Sequence, residues 1–133
     1  MVAKEFYTVA KRLVVELGEP DEAILRTIVG RAYYSVFLQT RDWLKKRFPE
    51  ELEKTVGNSH EKYTNCLDAL QRQKFDLEFT KFSRELKTLK AKRRFADYEV
   101  GENDILGKVN TEMSLLLAEQ LLKDLEKLIN KYP

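Results

Sequence analysis

The sequence predicts an all-α fold, an up-and-down antiparallel bundle of about five helices, in one domain that spans residues 1–133. The chain holds only 5 Gly and 3 Pro in 133 residues, too few for the many tight turns of a β-sheet protein. Its apolar residues, 43% of the chain, recur at steps of three and four, the period of a helix with one buried face. No stretch has the composition of a linker, so a single domain is expected.

The first two predicted helices span about 2–17 and about 21–48. Gly18 is a natural stop for the first helix, and Asp21 can cap the second. The second helix continues until Pro49, and its wide apolar band predicts that it is the central helix of the bundle. The inward face of the first helix consists of apolar residues three or four apart: Val2, Phe6, Val9, Leu13 and Leu17.

A charged connector is predicted over 49–58, before a third and shorter helix that ends near Gln73. Asn58 and Glu61 stand three residues apart, the spacing of a capping box at the start of a helix. The side chains of this helix that are expected to face inward are Tyr63, Cys66, Leu67 and Leu70.

The fourth helix is predicted to begin near Asp76, and the fifth to begin at Asn103 or Asp104 and to end near Lys131. The inward positions of the fourth helix alternate at steps of four and three, a regular bundle seam, and those of the fifth recur at steps of three or four. In the fourth helix these positions are Phe75, Phe79, Phe82, Leu86, Leu89, Arg93 and Ala96. In the fifth they are Leu106, Val109, Met113, Leu117, Leu121, Leu125 and Leu128.

The positive charge is concentrated in one segment. Residues 81–94 hold seven Lys and Arg against Glu85 alone, which is a net charge of +6 in a chain whose total is +2. Lys87, Lys90 and Arg94 lie on one side of the predicted fourth helix. Such a face can contact phosphates, and it is also what an ordinary solvated helix surface looks like.

Most familiar catalytic and metal sites are absent from the sequence. It has no Gly-rich phosphate loop, no His-Glu-x-x-His pair and no Gly-x-Ser-x-Gly turn. The one histidine, His60, has Gly57 three residues before it, which excludes the Glu-x-x-His ligands of a di-iron bundle. Cys66 has no second thiol with which to form a disulfide or a zinc site. We therefore predict neither a metal nor another cofactor.

The sequence shows no segment that a membrane protein would need. No apolar run reaches the roughly 18–20 residues that cross a bilayer, and Glu5 and Lys11 interrupt the region where a signal peptide would be apolar. A cytoplasmic location, without a membrane partner, is predicted.

Arg93 is the most unusual residue in the helical pattern, because the other members of its seam are Phe, Leu or Ala. A buried guanidinium is costly unless a carboxylate, a phenol or a bound anion satisfies it. Alternatively, the helix frays near its end and Arg93 reaches solvent. Tyr33 and Tyr34 are expected to pack in the core with a hydroxyl group at its rim.

Three sequence blocks occur in order along the predicted helices: Gly-Arg-Ala-Tyr-Tyr-Ser-Val-Phe at 30–37, Asn-Ser-His at 58–60, and Arg-x-x-Ala-Asp-Tyr at 93–98. With these blocks the chain resembles, over about residues 5–130, the HEPN domain (higher eukaryotes and prokaryotes nucleotide-binding). The resemblance implies a helical bundle, often dimeric. Many members are metal-independent ribonucleases whose motif is an Arg, then four to six intervening residues, then a His. Here positions 98–100 are Tyr, Glu and Val, and a tyrosine, with a pKa of about 10, is a poor base at neutral pH.

The resemblance leads to a predicted function, a non-catalytic module that binds a nucleotide, RNA or a minimal nucleotidyltransferase partner through residues 93–98. We also predict a homodimer. The predicted binding residues are Arg93, Arg94, Asp97, Tyr98, Lys90 and Lys87, supported by Arg31, Tyr33 and Tyr34. One alternative is a divergent ribonuclease that uses Arg93 with His60 and Tyr98. The other is a purely structural interaction bundle.

Overall fold

The computed structural model describes residues 22–59, 61–99 and 104–133, and side chains within 24–59, 61–95 and 109–133. These residues form α-helices and no strand, and they pack as a helical bundle, which confirms the predicted all-α class and bundle architecture. The helices are α1 (Glu22–Arg47), α2 (Pro49–Lys54), α3 (Glu61–Lys74), α4 (Leu77–Glu99) and α5 (Asp104–Lys131). The helix predicted over 2–17 lies outside the described residues.

The direction of α4 is opposite to that of α1 and of α5. Near the start of α4, Phe79 stacks on Trp43 close to the end of α1, with ring centroids 6.2 Å apart. Asp76, just before α4, accepts a hydrogen bond from Lys131 at the end of α5. Because α4 begins where both neighbours end, it is antiparallel to each of them.

Helices α1 and α3 run in the same direction. The ring of Tyr63, in the first turn of α3, meets Phe37 of α1 at 5.4 Å, and Lys74, the last residue of α3, lies over Phe48 at 5.8 Å. Helices α1, α3 and α5 therefore all end at the end where α4 begins, which we call the basal end. Basic residues in their last turns lie at the negative ends of the helix dipoles, which is a stabilising arrangement.

The core is built mainly from large apolar side chains. Helix α1 packs against each of the other four described helices, and its apolar band is buried inside the chain, as its predicted central position requires. At the basal end the aromatic rings of Trp43, Phe48, Phe79 and Tyr132 contact one another at centroid distances of 5.1–6.3 Å. The largest fully buried side chains of the core are Tyr33, Phe48, Phe79, Phe82, Ile28, Leu44, Leu67, Leu70, Leu86, Leu89, Leu121 and Leu125.

The connector predicted over 49–58 contains the short helix α2. Pro49 occupies the start of this helix, where its missing N–H costs nothing, and Leu52 is buried in the core. Further on, Gly57 has a φ of +135°, a conformation that other residues rarely adopt. The Asn58 side chain then accepts a hydrogen bond from the Glu61 N–H at 2.9 Å, which confirms the predicted cap of α3.

Three residues that were predicted to face inward are exposed. Phe75 is not part of α4, because it lies with Asp76 in the two-residue turn after α3, and its φ is +53°. Val109 and Met113 face outward on α5. The buried positions in this half of α5 are instead Asn110, Thr111, Ser114 and Ala118, small or polar residues that an apolar pattern overlooks.

Candidate nucleic-acid interface

The guanidinium of Arg93 lies against two neighbouring tyrosine rings of α1. Its central carbon is 5.3 Å from the ring centroid of Tyr33 and 4.8 Å from that of Tyr34. The two rings meet edge to face at 5.3 Å, and Tyr33 also stacks on Phe37. The antiparallel pairing of α1 with α4 brings these residues together.

This arrangement explains how the bundle accommodates Arg93 in an apolar seam. The residue is half-buried, neither enclosed in the core nor turned fully into solvent. Attraction between a cation and an aromatic ring contributes about 0.5–1 kcal/mol when exposed and about 2 kcal/mol when desolvated. The two tyrosine rings thus offset part of the cost of burying the charge. Helix α4 continues to Glu99, so the frayed helix end that was the alternative is not observed.

Tyr33 is not a proton acceptor at neutral pH. Burial raises the pKa of its hydroxyl to about 12, although the charge of Arg93 acts in the opposite direction. A phenol with this pKa stays protonated throughout the physiological range. The pair of Arg93 and Tyr33 can therefore hold an anion, and it lacks the base that RNA cleavage requires.

The remaining predicted site residues are distributed around this cluster. Lys90 and Arg31 are half-buried, and Arg94 is exposed. Lys87 points toward α3, where its ammonium group lies 3.2 Å from the carboxylate of Asp68. The side chains of Asp97 and Tyr98, and all of His60, lie outside the described residues. The structure thus brings together Arg93, Tyr33 and Tyr34.

An open groove between α3 and α4 adds basic residues that the sequence-based list omitted. It is lined by Asp68, Gln71, Arg72, Thr80, Arg84 and Lys87. Arg84 precedes Lys87 by three residues and Arg94 by ten, which places all three on one side of α4. Arg72 joins them from α3. The charge of residues 81–94 indicated Arg84, but only the packing of α3 on α4 places Arg72 beside it.

Neither a metal centre nor a reactive thiol is found in the described part of the chain. No group of three His, Cys, Asp or Glu side chains there could hold a metal ion. Cys66 is buried in the core, and burial raises the pKa of its thiol, which keeps it in the unreactive protonated form.

A pair of carboxylates lies between α4 and α5. Burial is the main cause that raises the pKa of Glu85, and the nearby charge of Asp124 raises it further. Within the described residues, Glu85 Oε2 and Asp124 Oδ2 are both buried and accept no hydrogen bond from another group. A hydrogen bond between the two side chains, which requires one of them to be protonated, also raises the pKa of Glu85. Lys81 and Arg84 also act on Glu85, and they lower its pKa. The pair is an electrostatic weak point of the bundle.

Comparison of the chain with protein-family models, with curated proteins and with solved structures gives no match. Among the helices that the structure describes, none combines the length and the apolar character needed to cross a membrane. A function is therefore inferred from the site itself.

Proposed function

We propose that the chain is a non-catalytic, HEPN-like helical module that binds the phosphate groups of a nucleotide or of RNA, with Arg93 at the centre of the site. The observation that carries this proposal is the position of Arg93, held half-buried against Tyr33 and Tyr34. A charge held in this way is weakly screened by solvent, so it attracts an anion more strongly than a mobile surface arginine does.

The neighbours of Arg93 support an anionic ligand. Arg94 follows it directly, and Lys90 lies one turn earlier on the same helix. Arginine recognises phosphate through the fork of N–H groups in the plane of its guanidinium, and each lysine contributes a point charge. A cluster of this kind binds phosphate through charge, and its affinity falls as salt is added.

The chemistry of the described residues favours binding over cleavage. Tyr33 stays protonated at neutral pH, and the Cys66 thiol is buried. The ribonuclease alternative depends on His60, and the His60→Ala variant tests it directly. RNA cleavage that this variant abolishes would support the alternative and overturn the non-catalytic proposal.

An exposed apolar stripe on α5 favours a protein partner in addition. Val109, Met113 and Leu116 are all exposed, and their spacing of four and three places them on one face. The apolar band of α1, in contrast, is buried inside the chain and is not available for association. We propose the stripe as the contact with a second copy of this chain. The minimal nucleotidyltransferase partner stays a prediction from the resemblance.

Binding of a fluorescent single-stranded RNA, followed by anisotropy at several salt concentrations, tests the site. We expect Arg93→Ala to weaken binding by about tenfold or more and to reduce the salt dependence by about one phosphate contact. Arg93→Lys keeps the charge and loses the fork, so it should bind with intermediate affinity. Arg41→Ala, which removes a charge paired with Asp42 elsewhere on α1, is the control. Equal weakening by Arg41→Ala and Arg93→Ala would contradict a specific role for Arg93.

A further inference from the structure

In the turn between α3 and α4, one residue, Phe75, combines an unfavourable backbone conformation with an apolar side chain that is exposed to solvent. Phe75 adopts a φ of +53°, the left-handed region that glycine or asparagine occupies at far lower cost. The residue is 91% exposed, so burial of its ring does not compensate for this conformation. Glycine would be the expected residue at such a helix end if stability alone decided the choice. A large aromatic at this position therefore points to a role outside the fold.

Leu77 extends the apolar surface of the same turn. It is 73% exposed and lies two residues after Phe75, in the first turn of α4. Lys74, next to Phe75, is also exposed. At this turn an aromatic ring is exposed to solvent next to a lysine in the sequence.

The basic side of α4 begins at this turn. Arg84 and Lys87 line the groove between α3 and α4 together with Arg72, and Arg94 is exposed further along the same side. From Leu77 to Arg94 this side extends for roughly 25 Å at about 1.5 Å per residue. One acidic residue lies in the groove, Asp68, which pairs with Lys87. The other charged residues that line the groove are basic.

An exposed aromatic ring at the end of a row of basic residues matches the chemistry of single-stranded nucleic acid. The basic residues contact successive phosphates, and the ring stacks on an unpaired base. In a duplex the bases are stacked on one another and leave no face for such a ring. The row of basic residues and the exposed ring together therefore favour a single strand over a duplex. The positive charge alone would attract both.

We propose that Arg72, Phe75, Arg84, Lys87 and Arg94 form a track for single-stranded nucleic acid, in which a base stacks on Phe75. This inference rests on the proposed function at the Arg94 end of the track, where the strand reaches Arg93. It adds the class of ligand, the path along α3 and α4, and Phe75 as a binding residue at the basal end. When the strand binds, Lys87 leaves the carboxylate of Asp68 and contacts a phosphate instead.

The test compares single-stranded RNA, single-stranded DNA and a duplex of the same sequence by fluorescence anisotropy. We expect Phe75→Ala to weaken binding of the single strands by about tenfold, the loss typical of one base–aromatic stack. Phe75→Trp should restore the affinity, and its fluorescence should be quenched on binding, since a stacked base contacts the ring. Val56→Ala, which removes an exposed apolar side chain from the connector before α3, should leave the affinity unchanged. The RNA and DNA arms show whether the sugar matters.

The outcomes separate this inference from the proposed function. If Arg93→Ala weakens binding while Phe75→Ala and Arg84→Ala do not, the track is refuted and the Arg93 site stands. If Phe75→Ala and Arg84→Ala weaken binding while Arg93→Ala does not, the track stands and the Arg93 site is refuted. Duplex binding as tight as single-strand binding would refute the track. Absence of binding by every oligonucleotide would refute both.

Discussion

Replacement of Asp76 should remove a carboxylate that accepts three hydrogen bonds at the basal end. Its carboxylate accepts hydrogen bonds from Lys131 Nζ at 2.6 Å and from the Tyr132 hydroxyl at 2.9 Å. It also accepts one from the Glu78 N–H at 3.1 Å, which caps the start of α4. A single side chain thereby joins the α3–α4 turn to the end of α5.

The expected loss follows from these contacts. A helix cap contributes about 1 kcal/mol, and a hydrogen bond to a charged group about 1.5–3 kcal/mol. Without any contribution from the exposed lysine, Asp76→Ala should lower the free energy of unfolding by about 3 kcal/mol. In a chain of this length this corresponds to a decrease in Tm of about 10 °C. Tyr132→Phe keeps the ring against Phe48 and Phe79 and loses only the hydrogen bond to the carboxylate, so it should cost about 2 kcal/mol.

The effect should depend on pH in a defined direction. Burial acts to raise the pKa of Asp76, but the hydrogen bonds from Lys131, the Glu78 N–H and Tyr132 outweigh it and hold the pKa below its ordinary value. The stabilisation is therefore fully present above about pH 3.9, the ordinary pKa, and is lost as pH falls through the lower pKa of the folded state. Urea unfolding at neutral and acidic pH measures both effects. A smaller loss for Asp76→Ala than for Tyr132→Phe, or identical acid sensitivity of Asp76→Ala and the wild type, would refute this reasoning.

Two further predictions concern the buried carboxylate pair between α4 and α5 and the exposed apolar stripe of α5. Glu85→Gln should raise the free energy of unfolding at pH 7 by up to about 1 kcal/mol, because the amide can donate a hydrogen bond to Asp124. Because the pKa of Glu85 is raised in the folded state, the stability that Glu85 contributes is fully present below its ordinary pKa and is lost as pH rises through the folded-state pKa. Urea unfolding at several pH values measures this loss. If Glu85→Gln keeps the pH dependence of the wild type, the reasoning is contradicted. Leu116→Glu should shift a dimer toward monomer in sedimentation, and Lys54→Glu is the control, since Lys54 is exposed on α2 and lies outside the stripe. A monomer at all concentrations in the wild type would rule out the second copy.

The helices could be predicted because their signals are local. The Asn58 cap, the stop before Pro49 and the seam from Phe79 to Leu89 depend on residues a few positions apart, and the structure confirms each of them. The inward face of the first half of α5 was predicted wrongly because Asn110 and Ser114 are polar. Their hydrogen bonds to backbone carbonyls, which a hydrophobic pattern does not reveal, allow them to be buried.

The candidate site was predictable only in part. The seam position of Arg93 indicated that the residue needs a partner, and a phenol was among the expected ones. That both Tyr33 and Tyr34 supply ring faces depends on the register between α1 and α4, because Tyr33 and Arg93 are 60 residues apart in the sequence. Arg72 and Phe75 were missed for the same reason, since their significance comes from the way α3 packs on α4.

The parallel course of α1 and α3 has a consequence for the order of folding. Helices α3, α4 and α5 form two consecutive antiparallel pairs whose contacts are local in the sequence, and such contacts form quickly. Helix α1 does not form an antiparallel hairpin with α3. At the basal end, Trp43 Nε1 donates a hydrogen bond to the Tyr132 carbonyl, which lies 89 residues further along the sequence. Since closing so long a loop costs entropy before it gains contacts, we expect the three C-terminal helices to associate first and α1 to dock onto them afterwards.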